Sequence, residues 1–326
     1  MAGPIGGARA PPKPAHVAAA LLAVYVIWGS TYLGIRFVVE TLPPFLSAGA
    51  RWAVAGGALY LLMRARGAPA PPRRAWKPAV IVGGFLLLGG NGLVSYAELA
   101  VPSGIAALMV ATVPLFVVLF DWAGPTRARP SGRALAGIGL GFAGVALLVD
   151  PFSIGSIRFE LWAMVLLLAA SALWSVGTLY GRDVKLPDPP ALAMGMEMLG
   201  GGACLLVAGV AVGEVGRMDL SGVSTLSLVA FAYLTTVGSL GGFTAYLWLI
   251  RNVPPQLATT YAYVNPVIAV GLGALLAAEP LTPRTLAAAA VIIVAVAVIT
   301  RARAPGQAAG AGEGGSPPAA PPEEVV

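Results

Sequence analysis

The chain has one cysteine and one histidine in 326 residues, and only 10% of it is Asp, Glu, Lys or Arg. A lone thiol, Cys204, excludes an intrachain disulfide, and with no Cys, His or carboxylate cluster around either residue, Cys204 and His16 have no partners for a zinc site. Cys204 reads as a small packing residue and His16 as an interfacial one. Soluble domains carry about 25% charged residues, so this charge content excludes an ordinary water-soluble fold. The sequence has no His-Glu-x-x-His pair, no Gly-x-Ser-x-Gly elbow and no paired intramembrane aspartates, so the familiar catalytic constellations are missing. No catalytic residue, metal or cofactor is therefore expected.

The chain is instead 58% hydrophobic, with a mean hydropathy of +0.83. Apolar runs of span length cover Val17–Ile35, Phe45–Met63, Ala79–Leu99, Gly104–Phe120, Leu135–Val149, Leu161–Tyr180, Ala191–Val212, Thr225–Ile250, Leu257–Ala278 and Leu286–Thr300, ten in all. At roughly 20 residues per span they use about 200 residues, which leaves no room for a separate soluble domain. Proline pairs and clusters fall between the runs, at Pro43-Pro44, Pro187 to Pro190 and Pro254-Pro255 among others. The first run is too long for a signal-peptide core and reads as an uncleaved span. The predicted organisation is a cytoplasmic tail at 1–14, a first unit at 15–150, a second at 156–301, and a Pro-, Gly- and Ala-rich tail at 302–326 expected to be disordered.

The net charge of +6 forms no single basic stripe, which argues against nucleic acid. With the N-terminus placed inside, fifteen of the 20 Lys and Arg fall on the inner side and four (Arg36, Arg158, Arg217, Arg284) on the outer. This bias predicts cytoplasmic termini and a protein of the cell (inner) membrane. Gly139, Gly141 and Gly144 match a dinucleotide pattern without a βαβ setting. Gly137 with Gly141, and Gly238 with Gly242, have the small-residue spacing that lets membrane helices approach closely.

The two halves repeat. An offset of 146 puts Trp28 on Trp174, Pro43-Pro44 on Pro189-Pro190, Gly49 on Gly195 and Gly56 on Gly202. An offset of 152 puts Val101-Pro102 on Val253-Pro254 and Pro114 on Pro266. A five-span unit has an odd number of crossings, so its second copy enters from the opposite face. Such inverted repeats meet about an axis in the membrane plane, and rocking one against the other can expose a central site to each side in turn. The fold class expected is an all-α membrane protein of ten transmembrane helices in two inverted five-helix repeats.

Ile27-Trp28-Gly29-Ser30-Thr31, Pro43-Pro44 leading to Arg51, and Glu279-Pro280-Leu281-Thr282 resemble the EamA-type members of the drug/metabolite transporter superfamily, over roughly His16 to Arg301. That resemblance implies two EamA repeats around a central cavity and export of amino acids, other small metabolites or toxic compounds. The Glu279-Pro280 turn has only a looser counterpart, Asp121 to Pro130, in the first half.

Ionisable groups inside spans are costly and mark pathways. Arg51 and Glu197 occupy equivalent repeat positions, each roughly 9 Å in from its helix start at 1.5 Å per residue. Inversion places them toward opposite leaflets. Arg51 is a candidate for a substrate carboxylate and Glu197 for a substrate amine or a coupling proton; structural anchoring is the alternative for both. Trp28 and Trp174 are either cavity walls or helix packing. Tyr261, Tyr263 and Asn265, with Thr259 and Thr260, precede Pro266, which frees the carbonyl of Ala262; solute binding or interhelical bonding would account for them. Pro114 and Pro266 are candidate paired hinges. Asn91, Ser95, Tyr96 and Glu98 with Thr244, Tyr246 and Trp248 form a weaker polar set, in which Glu98 is either interfacial or functional. The partners expected are the lipid bilayer and a small-molecule substrate, with proton coupling as an option, and the chain would act as a monomer or homodimer. Two rival functions are a carrier of lipid-linked or nucleotide sugars, which would favour more intramembrane cations than Arg51, and a membrane-embedded enzyme, which lacks catalytic groups.

Overall fold

The computed structural model describes residues 13–124, 129–149 and 161–302. Nearly all of both predicted tails lies outside the described residues. Every regular element among the described residues is helical. The ten main helices are α1 Pro14–Val39, α2 Pro44–Ala65, α3 Arg73–Ala97, α4 Ser103–Ala123, α5 Gly132–Val149, α6 Leu161–Asp183, α7 Pro190–Ala211, α8 Thr225–Asn252, α9 Tyr261–Leu276 and α10 Pro283–Ala302. Eight of them are long and apolar enough to cross a membrane, and α5 and α9 are shorter apolar helices. Large apolar side chains such as Leu61, Val207 and Leu275 point outward with 66%, 69% and 81% of their surface bare. Such a surface suits lipid, and helices suit it because they satisfy their own backbone groups.

The proline pairs set where helices begin. Pro43 is extended and Pro44 opens α2; Pro189 is extended and Pro190 opens α7. A proline at the first helical position lacks an N–H that would have been unpaired anyway. α3 starts six residues before the apolar run predicts, so Arg73, Arg74 and Lys77 ride on its first turns. α4 is broken at Ala111-Thr112, just before Pro114. The ninth run divides differently, into a short turn Pro255–Ala258 and α9, with Pro266 inside the continuous helix. The two prolines therefore do not form a matched pair of kinks: Pro114 sits where a helix restarts, whereas Pro266 lies a turn and a half into one.

The repeats interleave rather than standing side by side. The most extensive packing is α2 on α7, followed by α3 on α6 and α7, α1 on α8 and α5 on α10, every pair drawn from both halves. At the α2–α7 crossing the repeat-matched glycines face one another. A Cβ on Gly56 would come within 2.9 Å of the Gly195 carbonyl oxygen, and one on Gly202 within 3.1 Å of that of Gly49. Gly56 lies level with Gly195 and Leu199, and Gly49 with Gly202 and Leu206, so the two helices run antiparallel, as inversion requires. α3 joins them through Gly83 and Gly201, where a Cβ on Gly83 would sit 2.1 Å from the Glu197 carbonyl oxygen. The predicted Gly137/Gly141 pair splits: Gly137 and Gly144 admit α10 through Ile299 and Ile292, while Gly141 admits Leu115 of α4.

One irregularity recurs in both halves. α3 is π-helical over Gly84–Gly92 and α8 over Leu234–Gly241, starting 150 residues apart. Wider π-helical turns are rare and frequent at functional sites, and no local sequence signal announces them.

The expected outcome of Gly83→Ala is a loss of about 1–3 kcal/mol from overpacking, because the clash is with backbone. Gly139→Ala, where a Cβ meets nothing within 4 Å, should leave stability unchanged or slightly raised. Thermal unfolding of the two variants in one detergent checks both.

Candidate functional site

Arg51 is 4% exposed on α2 and faces α8. Its Nε donates to Ser239 Oγ at 3.0 Å, and its guanidinium lies 4.4 Å from the centroid of the adjacent Trp52 ring. Ser239 Oγ in turn donates to the Leu234 carbonyl at 3.0 Å, within the π-helical stretch of α8. Gly238 lies beside the guanidinium, where a Cβ would be in ordinary contact with Nη2 at 3.6 Å and closer, at 3.3 Å, to Thr31 Cγ2. No carboxylate pairs with Arg51 among the described residues. Beside it is a cavity of about 10 Å³, roughly one water, walled by Val38, Ser47, Ser95, Phe231 and Leu234 among others.

From Arg51 a run of aromatic rings crosses the middle of the protein. Trp52 meets Phe243 edge-on at 6.0 Å, Phe243 meets Trp28 at 5.3 Å, and Trp28 meets Tyr246 at 5.1 Å and Tyr261 at 5.0 Å. Trp28 reaches this place because Gly242 is bare: a Cβ there would lie 2.3 Å from the indole nitrogen. Trp174 does the same in the other half, against Gly90 of the π-helical stretch in α3, at 2.5 Å. Trp174 is thus wedged against one π-helical segment and Trp28 against the residue that follows the other, and the Gly238/Gly242 spacing serves side chains rather than a backbone crossing.

Of the residues singled out in the sequence, the structure brings together Arg51, Trp28, Tyr246 and Tyr261. Asn91 joins them through Trp52, whose Nε1 donates to Asn91 Oδ1 at 3.0 Å. Tyr96 stacks on Phe45 at 5.3 Å at one side of the same apolar cluster. Glu197 is only partly buried and makes no ion pair or side-chain hydrogen bond among the described residues, so it does not meet Arg51. Trp174 stays with α3, and Tyr263 packs against the main core. Asn265 is 8% exposed, with Oδ1 buried and unpartnered; its carbonyl approaches Gly29. Tyr25 and Thr260 bond side chain to side chain between α1 and α9. The break in α4 before Pro114 is held by α6, whose Ser171 and Ser175 donate to the Met109 and Val113 carbonyls at 3.3 and 3.1 Å.

Trp52, Phe243 and Ser239 were missed by sequence reasoning. A Trp next to an intramembrane Arg was a usable signal for cation–π contact; Phe243 and Ser239 carry no local signal. Glu98 needs correction: it is wholly buried, not interfacial. At its end of the molecule other carboxylates close helix starts. Glu279 accepts from Ser103 N at 2.7 Å and Gly104 N at 3.0 Å, where α4 begins. Glu214, placed by Gly213 at φ 78°, accepts from Phe45 N at 3.2 Å and Leu46 N at 2.8 Å, where α2 begins. Anions suit these positive helix ends.

Comparison with known proteins accords with this geometry. The profile of the EamA-like transporter family matches residues 16–150 and again 161–301. The chain is 42% identical over 265 residues to the uncharacterized inner membrane transporter YedA of Escherichia coli (strain K12), spanning 81% of this chain and 83% of that one. It is 24% identical over 276 residues to a probable amino-acid metabolite efflux pump of the same organism, spanning 80% and 87%. A solved structure described as "Crystal structure of protein" superposes with a TM-score of 0.59 at 19% identity, over 89% of this chain and 98% of that one, which speaks to the fold. With two family matches that leave out little but the tails and one short linker, the chain is an integral membrane protein that belongs to the EamA-like transporter family.

Proposed function

We propose that this transporter is an inner-membrane secondary exporter of small carboxylate-bearing metabolites, amino acids among them, working by alternating access. The observation that carries the reading is Arg51: a buried guanidinium bonded to the Ser239 hydroxyl, with no paired carboxylate among the described residues and a wall of aromatic rings leading away from it. A cation held in a dry site between helices of both repeats is costly unless something anionic visits it. A substrate carboxylate would complete the guanidinium, and Trp52, Phe243, Trp28, Tyr246 and Tyr261 would face its apolar portion. The relatives named as an inner membrane transporter and a probable amino-acid metabolite efflux pump support the location and the substrate class.

The excess of Lys and Arg at the Arg64 to Lys77 end supports cytoplasmic termini, which makes the Glu98 end the outer one. That end is tied across the repeats: Glu214 to α2, Glu279 to α4, and Ser227 Oγ to the Phe37 carbonyl at 2.6 Å. Above Arg51 the cavity is closed by Val38, Phe231 and Leu234. The arrangement fits a state shut toward the outside, in which export would finish by parting these contacts. Rocking of the repeats would run along the crossings where bare backbone meets bare backbone, with the π-helical stretches nearest the site.

Uptake by inside-out vesicles of a panel of amino acids, organic cations and sugar nucleotides tests the substrate class. Carboxylates are expected to move and sugar nucleotides not; accumulation of sugar nucleotides alone would reject the proposal. Arg51→Gln should weaken carboxylate transport about ten- to hundredfold in apparent affinity, since a hydrogen bond to a charged group contributes about 1.5–3 kcal/mol. Orientation is checked in a Cys204→Ala background with an impermeant thiol reagent on intact cells. Glu40→Cys should label at once and Lys185→Cys only after permeabilisation.

A further inference from the structure

We infer that Glu98 is a proton-binding site that latches its end of the transporter shut. Glu98 follows the last residue of α3, is 0% exposed, and neither carboxylate oxygen has a hydrogen-bond partner among the described residues. The hydroxyl of Ser103, five residues on, is buried and unpartnered as well. An ionised carboxylate left dry with no hydrogen bond costs several kcal/mol, so the closed conformation holds Glu98 as the neutral acid.

The charges facing Glu98 do not remove that cost. Arg36 of α1 is close enough to be felt, but its Nη1 donates to the Glu98 backbone carbonyl at 2.7 Å, not to the carboxylate. Glu279, between α9 and α10, opposes ionisation by its own negative charge, and both its oxygens are engaged with the Ser103 and Gly104 amides. Tyr32 of α1 is the remaining titratable neighbour, and it is neutral at physiological pH. A cavity of about 390 Å³ lies on the far side of the chain just after Glu98, lined by Leu99 and Pro102 together with Arg36, Glu40 and Glu279. Water at that end is thus one loop away from the acid.

Glu98 is enclosed by α1, the α3–α4 junction and the α9–α10 turn, elements of both repeats, so parting the repeats here wets it. Wetting lets the acid lose its proton to water, and closing takes one proton back. Acid therefore favours the closed form. The preference is fully present below the ordinary glutamate value of about 4.3 and is lost as pH rises through the higher value of the closed state. One proton changes the open-to-closed ratio by at most about tenfold per pH unit. The ligand is the proton, and the inference stands on burial and geometry whichever solute is carried; it rests on the alternating-access part of the functional proposal.

The test uses purified full-length protein in detergent, with Cys204→Ala and a reporter at Ser47→Cys, a wall of the closed cavity beside Arg51. Thiol-labelling rate is read against pH from 5.5 to 8.5 and divided by that of Glu40→Cys, which cancels the reagent's own pH dependence. The ratio is expected to rise about tenfold or more with Glu98 present and to stay flat and low in Glu98→Gln, which copies the neutral acid. A rising ratio in Glu98→Gln, or a flat one in the parent, overturns the inference. Infrared spectra give a second reading should Glu98→Gln fold poorly. The parent at pH 7 should show a protonated-carboxyl band that Glu98→Asp keeps, shifted; a parent without the band overturns the inference equally.

Discussion

The structure depends on two inverted halves coming close enough for backbone to touch backbone. At the meeting of α2, α7 and α3 the chain has no side chains to spare: Gly56 faces Gly195, Gly202 faces Gly49, and Gly83 stands against the Glu197 carbonyl and Gly201. In lipid, apolar side chains gain little by finding one another, so helix association rests on close van der Waals packing, which small residues permit. This crossing fixes how the halves interleave, and the interleaving places α1 against α8 and α9 and α6 against α3 and α4.

From that arrangement the site follows. Arg51 comes from the first repeat, Ser239 and Phe243 from the second, Trp28 again from the first, and Tyr246 and Tyr261 from the second. No half of the chain could assemble this set alone. Both tryptophans rest on glycines at or next to the π-helical stretches, Trp28 on Gly242 and Trp174 on Gly90, so the irregular turns and the rings occupy related places. Symmetry stops at charge: Trp28 lies on an aromatic run that leads through Phe243 and Trp52 to Arg51, whereas Trp174 has no ring contact among the described residues.

The two ends of the molecule are also unlike. At the Glu98 end carboxylates close helix starts and hydroxyls bridge α1 to the start of α8, with Thr41 Oγ1 donating to Ser227 Oγ at 2.7 Å. At the opposite end the side-chain links between helices include Tyr25 with Thr260 and the exposed Arg182–Asp121 pair at 3.0 Å. Exposed ion pairs contribute little, about 0–1 kcal/mol. One end is thus held by buried, charge-assisted bonds and the other by weaker ones, a difference that supports the proposed state shut at the Glu98 end.

Composition and the length of the apolar runs alone determined that this is an all-helical membrane protein, because lipid admits only helices and closed barrels and runs of about 20 residues suit helices, whereas a strand spans in about 9–11. The matched Trp, Pro-Pro and Gly positions determined the inverted repeat, since they follow chain order and need no knowledge of packing. Arg51, Trp28, Tyr246 and Tyr261 were legible because polar or bulky aromatic groups inside spans stand out one residue at a time. The tertiary structure alone decided that Glu197 stays apart from Arg51, that Pro114 and Pro266 sit differently in their helices, that Ser239 meets Arg51 and Phe243 joins the aromatic run, and that the Glu98 carboxyl is buried with no hydrogen-bond partner among the described residues. Each of these depends on which face a helix turns toward another and at what height they cross, and in a chain apolar on nearly every face the sequence pattern leaves that rotation open until the glycines lock it.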